Sequence, residues 1–540
     1  MAEEFDIIIV GSGAGGGTLA HTLARTGKRI LILERGGFLP AEPGSRDRPQ
    51  GTQGNSCDKY QDRYLSQETW YDAHGRPFQP DTHYFVGGAT KVYGAALCRL
   101  RPMDFARIEH IDGMSPAWPF SYSDFESWYD RAEWLYQVHG QHGEDPTEGS
   151  WSQEYRWPPV THEPLAQQLA DELTLAGYQP FHTPTGVLLD ESRADADVVA
   201  VRPLLNLLNV TLLVGAEVTR LQTDARGRSV TGVVVNHAGT REVYRADIVV
   251  LAAGAVNSAR ILLSSACDSH SGGLANGSGQ VGRNLMCHNQ SDVIAVVREL
   301  AGAGFQQTLG VNDFYLGGRQ ARWPLGSIQL LGDQQEARQE ARQEVTSDHV
   351  RPAIVPRQRD PRQRDPRHGA GRAVGFRLTT EDLPRPANRV SVDGQGRLRL
   401  THVPTGDAAA RLLYRSLRAM LSGTRMIAHE ILGRPGKPPA AHSADYAGTC
   451  RLGADPATSV LDLNCQAHEL DNLYVVDASF FPSVGAVSPA LTVMANAIRV
   501  GEHLAARLGC RPSQSQSQSQ SQSQSTQLRR QALRAAGATG

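Results

Sequence analysis

A chain of 540 residues has room for more than one domain and a large buried core. Its 54 Lys and Arg nearly balance its 56 Asp and Glu, so no net field favours a nucleic-acid or anionic-membrane partner. The 7 cysteines are odd in number and lack C-x-x-C spacing, which argues against a disulfide framework or a metal site, and with no leader and no long apolar run a cytoplasmic protein without a membrane span is expected.

Phe5 to Val10 is apolar and β-branched and reads as a buried parallel strand. Gly11-Ser12-Gly13-Ala14-Gly15-Gly16 follows at once, and Leu19, Ala20, Leu23 and Ala24 then trace a helical apolar stripe. A second strand, Arg29 to Leu33, ends in Glu34. Strand, Gly-x-Gly-x-x-Gly, helix, strand and acid in one βαβ unit predict a bound dinucleotide, FAD or NAD. In that pattern Gly11 permits the tight turn, Gly13 lets backbone approach a pyrophosphate and Gly16 lets helix and strand pack closely. The helix start offers N–H groups and partial positive charge. Glu34 would accept hydrogen bonds from an adenosine ribose. A Gly-rich structural turn is the plainer alternative.

Residues 40–80 are rich in Pro, Gly, Asp and Gln and read as an excursion with little regular structure. Gly87-Gly88-Ala89-Thr90-Lys91 suits either a loop pressed on a flat ligand or a strand-to-helix turn. Residues 103–145, with Trp118, Trp128 and Trp134, read as helices packing on a core. After the apolar run Val210–Val214, the stretches Val218–Leu221 and Gly232–Val235 read as meander strands. Ala246–Ala255 reads as a further buried strand, ending in the small residues Ala252-Ala253-Gly254-Ala255. A buried strand so late in the chain predicts a nucleotide fold that is discontinuous in sequence.

Residues 333–345 stack Glu on Glu and Arg on Arg at i,i+4, and 357–366 repeat Arg-Gln-Arg-Asp-Pro, so both read as a solvated, disordered insertion. Val374–Glu381 and Asn388–Val392 alternate like antiparallel strands, and Ala408 to Ile431 has helical periodicity. Asp471 to Ser479 reads as a turn and a buried strand with Asp477 at its end. In Val487–Ala497, Ser488 is a good N-cap and Pro489 fits the first helical position. Ser513 to Ser525 alternates Ser and Gln and is expected to be disordered.

Taken together these stretches resemble the glucose–methanol–choline (GMC) family of FAD-dependent alcohol oxidoreductases, over about residues 5–135, 200–290 and 375–508. The carrying motifs are Gly11 to Gly16 with Glu34, Gly87-Gly88-Ala89-Thr90, Ala252 to Ser258, Val281-Gly282-Arg283-Asn284-Leu285, Gly448 to Gly453, Asn472 to Asp477 and Pro489 to Thr492. The resemblance implies an α/β chain, with a discontinuous Rossmann-like FAD-binding domain and an α+β substrate domain on an antiparallel sheet. The FAD-binding parts would be 1–135, 200–292 and 440–510, with a cap segment 136–199, a substrate domain 293–439 containing the insertion 333–372, and a tail 511–540. It further implies that Gly11, Ser12, Gly13 and Gly16 hold the pyrophosphate, Glu34 and Arg35 the ribose end, and the backbone of Val218 the adenine. Gly88, Thr90 and Tyr93 would line the flavin, with Gly254 in a second glycine signature, and Asp477 and Ala478 would meet the ribityl chain or its phosphate. The helix from Pro489 would face the flavin N1/O2 edge, where its dipole favours the anionic reduced ring. With no histidine in Gly87–Tyr93, the FAD is expected to be non-covalent.

The implied reaction oxidises an alcohol or sugar hydroxyl, with oxygen or another compound as final acceptor. A base takes the hydroxyl proton while the carbon delivers hydride to flavin N5. The family's base is a histidine three residues before the Gly-Thr pair, a position held here by Asp445, with His442 three residues further back. Either a short insertion displaces the histidine and His442 reaches the site, or Asp445 occupies it. The family's second polar group, just before the Pro, is Ser488, which can hydrogen-bond a hydroxyl but cannot act as a cation. These departures leave a second reading, a flavin-binding protein with little or no catalysis, and a third, a nicotinamide dehydrogenase on the same βαβ unit.

Overall fold

A run of branched residues with no polar face must be covered on both sides. So it is in β1 (Glu4–Val10), where Ile7, Ile8 and Ile9 are fully buried. The structure, a computed structural model, describes residues 4–40, 64–149, 151–189, 192–297, 307–317, 322–333, 372–424, 427–432 and 445–510. After β1 come α1 (Ala14–Leu23), β2 (Ile30–Glu34), β3 (Val210–Val214), β4 (Ala216–Thr223), β5 (Val230–His237) and β6 (Thr240–Leu251). They are followed by α2 (Ala255–Leu263), β7 (Leu473–Val475) and α3 (Ala490–Arg507). β3, β2, β1 and β6 lie side by side in parallel, with β7 parallel on β6, and β5 and β4 extend from β6 as an antiparallel meander.

β6 serves both halves of this sheet, and its sequence changes to match. Thr240–Tyr244 pairs with β5 and mixes charged with apolar residues. From Arg245 the strand pairs with β1 and ends in the unbroken, buried run Ile248-Val249-Val250-Leu251. The register sets Val10 level with Leu33 and with Leu251, and Leu251 level with Val475. Gly11, Glu34, Ala252 and Asp477 therefore emerge at one edge, the carboxyl end where ligands of such sheets bind.

A second, six-stranded sheet is antiparallel throughout, in the order Ile427–Leu432, Asn289–Val297, Arg372–Thr380, Ser327–Asp333, Leu309–Val311, Pro180–His182. The helices Pro164–Leu175 and Asp407–Ser422 cover it with Leu165, Leu169 and Leu173 and with Leu413, Leu417 and Met420. Each such buried side chain stabilises by roughly 1.5–3 kcal/mol. The fold is thus α/β with a discontinuous nucleotide-binding sheet and a separate antiparallel sheet.

Several expectations are corrected in detail. The helix expected to reach Ile431 stops at Ser422, ahead of Gly423, and Ile427–Leu432 is a strand at the edge of the second sheet. Of the region 103–145, only Tyr122–Leu135 is a long helix, and its Trp134 is 46 % exposed, so it does not pack inward. Trp118 lies outside that helix, packs edge-on against Phe480 and Phe481, and donates to Ser483 Oγ at 3.0 Å. The repeats at 334–371, His442 and the tail 511–540 lie outside the described residues. Among the described residues no helix is long and apolar enough to cross a membrane, and no group of His, Cys, Asp and Glu could hold a metal.

Candidate active site

Beyond the carboxyl edge of the first sheet lies a cleft of about 460 Å³, a size usual for cofactor sites. Three helices begin at it: α1 after Gly13, α2 after Gly254 and α3 after Pro489. Each start leaves N–H groups without intrahelical acceptors and carries partial positive charge.

The turn into α1 is as tight as its glycines allow. Gly11 has φ +98°, and a Cβ there would lie 2.4 Å from the Ala252 oxygen. A Cβ on Gly16 would lie 2.0 Å from the Gly11 oxygen. Gly13 differs, because its added Cβ would make only an ordinary contact, 3.5 Å from Gly88 Cα. The protein's own packing does not demand a glycine at 13. At Gly254 an added Cβ would meet nothing within 4 Å, so that backbone is also open. Bare backbone at Gly13 and Gly254 beside two helix starts fits an extended anionic ligand such as the diphosphate of a dinucleotide.

Ser12 ties the two glycine loops together. Its hydroxyl donates to Glu34 Oε2 at 2.7 Å and accepts from Gly87 N at 3.1 Å. Glu34 also accepts from Ser12 N at 3.0 Å and Gly36 N at 2.9 Å, and burial pushes its carboxyl up. Of about four acceptor positions on a carboxylate, these bonds leave room for one ligand hydroxyl. Arg35 stacks over the Tyr84 ring at 3.9 Å and pairs with Glu68 at 2.9 Å and Glu217 at 3.2 Å. Burial alone would raise Glu68, but Arg35, the Tyr84 hydroxyl and Arg260 bring it down to about 2. Val218 lines the cleft beside Glu217.

The Gly87 loop is a short 3₁₀ turn, Gly88–Lys91. The Thr90 hydroxyl donates to Gly87 O at 2.6 Å and accepts from Ala196 N at 2.9 Å, and the Tyr93 hydroxyl donates to Ala194 O at 2.6 Å. Lys91 turns away, to Asp195 at 2.9 Å and Asp197 at 3.2 Å. Asp477 accepts four hydrogen bonds, from Gly254 N at 3.0 Å and the Ser258 hydroxyl on one oxygen, and from Ser479 N at 2.9 Å and the Ser479 hydroxyl on the other. Burial pushes its carboxyl up, and its bonds clasp the start of α2 to the end of β7. Ala478 lines the cleft next to it.

The other end of the cleft is walled by Asp445, Tyr446, Ser488, Pro489 and Ala490. α3 begins at Ala490, one residue later than its sequence suggests, and no side chain caps it. Pro489, at φ −77° and ψ −9°, takes the cap position, so Ser488 lies one residue further out and stands half-buried in the wall. Asp445 accepts from Gln290 Nε2 at 3.0 Å and lies 3.6 Å from His288 Nδ1.

Asn257, within the Ala252–Ser258 motif, lines the cleft, and so do Trp70, Thr82, His83, Tyr84 and Arg260, which pattern reading does not single out. Most come from 64–85, which has only two-residue strands and thus no periodicity to read. Aromatics in an otherwise polar, Pro- and Gly-rich excursion were the one available cue.

Two family models, each described as GMC oxidoreductase, match residues 5–290 and 395–497. The chain is 28% identical to the 6'''-hydroxyparomomycin C oxidase of Streptomyces lividus, over 93% of this chain and 92% of that protein. It is 29% identical to the paromamine 6'-oxidase of Streptomyces fradiae, with 93% and 92% covered. It is 26% identical to the 2-methyl-1,2-propanediol dehydrogenase of Mycolicibacterium austroafricanum, with 94% and 96% covered. Among solved structures, the pyridoxine 4-oxidase of Mesorbium loti superposes with a TM-score of 0.63 at 21% identity, covering 92% of this chain and 99% of that one. A formate oxidase of Aspergillus oryzae superposes at 0.66 and 16% identity, covering 94% and 98%. These superpositions bear on the fold.

Proposed function

The chain belongs to the GMC oxidoreductase family and is an FAD-dependent oxidoreductase acting on CH–OH groups; from that premise we propose how its cleft does the work. Gly13 holds the diphosphate through its backbone N–H at the start of α1; Gly11 and Ser12, whose N–H groups donate to Leu33 O and Glu34, and the buried Gly16 shape the turn that presents it, and Gly254 lies against the same ligand. Glu34 accepts from the adenosine ribose, Arg35 closes that end from its ion pairs, and Val218 meets the adenine. Gly88, Thr90 and Tyr93 support the flavin, and Asp477 and Ala478 present backbone to the ribityl chain. Bound FAD supplies the two-electron acceptor. Segments 1–135, 200–292 and 440–510 form the FAD-binding domain in this reading, with 136–199 and 293–439 the substrate part.

The observation that carries the reading is the far wall. Asp445, able to take a proton, and Ser488, able to hydrogen-bond a hydroxyl, stand beside the positive start of α3. An alcohol or sugar hydroxyl placed there has a proton acceptor and a partner within one cleft. We take Asp445 as the group that meets the hydroxyl. The cysteines among the described residues are free, which suits a cytoplasmic setting.

The test is anaerobic. Purified holoprotein is mixed with a panel of simple alcohols, diols, sugars and amino sugars, paromamine and 2-methyl-1,2-propanediol included, and the visible flavin absorbance is followed. Bleaching by a hydroxyl compound is the expected result, and the substituents that accelerate it define the substrate. Admitting oxygen, or an artificial acceptor, then separates oxidase from dehydrogenase. Bound flavin that no member bleaches would overturn the reading in favour of a non-catalytic flavoprotein.

A further inference from the structure

The two-strand ladder Met286–Cys287 with Tyr446–Ala447 pairs Met286 with Ala447 and Cys287 with Tyr446. Its next rung brings His288 to Asp445. His288 is pinned from both sides, since Cys287 N donates to Asp382 Oδ2 at 2.9 Å and the Asn289 amide donates to Thr405 O. Its side chain is 1% exposed.

The ring's hydrogen placement follows from its neighbours. Nε2 lies 3.4 Å from the Val484 carbonyl oxygen, which can only accept, so Nε2 carries hydrogen in the neutral ring as well as in the cation. Nδ1 of the neutral ring is then a buried lone pair with no hydrogen-bond partner among the described residues. It faces Asp445 Oδ2 at 3.6 Å, an ion-pair distance longer than a hydrogen bond. The Asp445 side chain is 32% exposed and lines the cleft. Two acceptors thus face each other across a gap that one proton would bridge, and one of them opens on the substrate side.

We propose that Asp445 and His288 form a single proton-accepting pair, in which Asp445 takes the substrate hydroxyl proton and hands it to Nδ1 of His288. The proposal rests on the CH–OH oxidoreductase reading above. Asp445 is the catalytic residue of the pair, and His288 is a positioning residue that acts through it. The O–H bond breaks and its proton ends in an N–H bond on His288. The C–H bond breaks with both electrons leaving with the hydrogen for FAD, the carbonyl forms, and the pair passes from one negative charge to an imidazolium–carboxylate couple.

The electrostatics explain why a pair is needed. Burial works against the Asp445 anion, yet His288, Arg377 and Gln290 hold its carboxyl below the ordinary range. Such a carboxylate does not keep a proton near neutrality. Burial would lower His288, but the Asp445 carboxylate, the Val484 carbonyl and Glu381 outweigh it and raise the ring above its usual value. Facing the pair are Glu381, just beyond the strand Arg372–Thr380, and Arg377 on that strand, itself bound to Asp292 at 2.8 Å. The loop 480–488 brings no charged residue.

His288→Gln in the holoenzyme keeps a donor toward Val484 and cannot store a proton. With flavin content and melting temperature unchanged, its anaerobic flavin-reduction rate near neutral pH should fall about ten- to hundredfold. The acidic limb of its pH–rate profile should move down by about one unit or more, towards the range of Asp445 alone. In histidine NMR, the resonance missing from His288→Gln should titrate above about 6.5 in the wild type and drop in Asp445→Asn. An unchanged rate and profile in His288→Gln, or the same titration in Asp445→Asn, overturns the pair. So does an acidic limb that moves with His442→Ala and not with His288→Gln. A wild-type flavin that nothing bleaches defeats the functional reading instead, and the NMR arm then still decides the pair. If His288→Gln does not fold, the Asp445→Asn titration, with the histidine assigned by its contacts, decides.

Discussion

Gly13 and Gly16 sit three residues apart in one turn, yet alanine should act on them in opposite ways. At Gly16 a Cβ would meet the Gly11 oxygen at 2.0 Å and Ala252 Cβ at 3.0 Å. Relieving that contact needs a shift of about 1 Å between α1 and β1, and overpacking of this kind costs about 1–3 kcal/mol or more. An alanine inside a helix otherwise gains about 1 kcal/mol over glycine. The sign is therefore informative: Gly16→Ala should destabilise the apoprotein by about 2 kcal/mol where helix propensity alone would stabilise it. At Gly13 the nearest atom would be 3.5 Å away, and the backbone, φ −71° and ψ −159°, suits any residue. Alanine is a poorer cap than glycine by about 0.5–1 kcal/mol, and restricting the unfolded chain returns about 0.4–1 kcal/mol, so stability should hardly change. Instead Gly13→Ala should weaken FAD, because in the binding mode proposed above its methyl would stand where the diphosphate meets backbone. Losing one charge-assisted hydrogen bond, about 1.5–3 kcal/mol, corresponds to about a 10- to 100-fold rise in Kd. Denaturant midpoints of the apoproteins and flavin-fluorescence titrations measure the two effects. If Gly13→Ala binds FAD within a factor of about three of wild type, or unfolds as readily as Gly16→Ala, the assignment of this turn to the diphosphate is wrong.

Three further outcomes are expected. Asp477→Asn sets an amide NH₂ against two of the four donors on that side chain; a serine hydroxyl can turn to accept but a backbone N–H cannot, so the apoprotein should lose about 3 kcal/mol, read from denaturant midpoints, and a loss under about 1 kcal/mol would refute the clasp. His162 is pushed down to about 4 by burial and by the stacked His182 ring at 3.8 Å. Because the unfolded chain then binds the extra proton more tightly, melting temperature should fall as pH drops from about 6.5 towards 4, and His162→Gln should flatten that dependence. The flavin should leave the protein on acid precipitation, since the Gly87–Tyr93 loop has no histidine; a flavin that stays in the pellet would turn attention to His83, which lines the cleft.

What the sequence revealed and what it hid divide along a physical line. β1, α1, β2 and the late strand at 246–251 were legible because a strand buried on both faces and a helix packed on it leave no choice of residue type. The meander was legible from alternation at Val218–Leu221 and Gly232–Val235. Pattern reading ran too far at Ser422, because Ile427–Leu432 carries apolar residues at spacings that suit a helix as well as an edge strand. It placed Ser488 as a cap because serine before proline usually is one, and only the start of α3 at Ala490 shows the hydroxyl in the cleft wall. Trp70, Tyr84 and Arg260 were invisible because their positions are set by ion pairs and stacking around Glu68 and Arg35, which carry no period.

The departure at Asp445 shows the same division most sharply. Reading along the chain finds the missing histidine at once, because the Gly-Thr motif fixes the count. It cannot find the group standing behind the aspartate, since His288 follows a different motif, Val281 to Leu285. Gln290, the hydrogen-bond partner of Asp445, is 155 residues away in sequence. Only the short ladder at Cys287 and Tyr446 lays the two stretches side by side. A carboxylate replacing an imidazole would be too weak a base alone, and the ladder places it against a buried imidazole whose free nitrogen faces it. A local reading therefore scores this site as degenerate. The same residues in space make a base divided between two side chains, one reaching the cleft and one holding the proton.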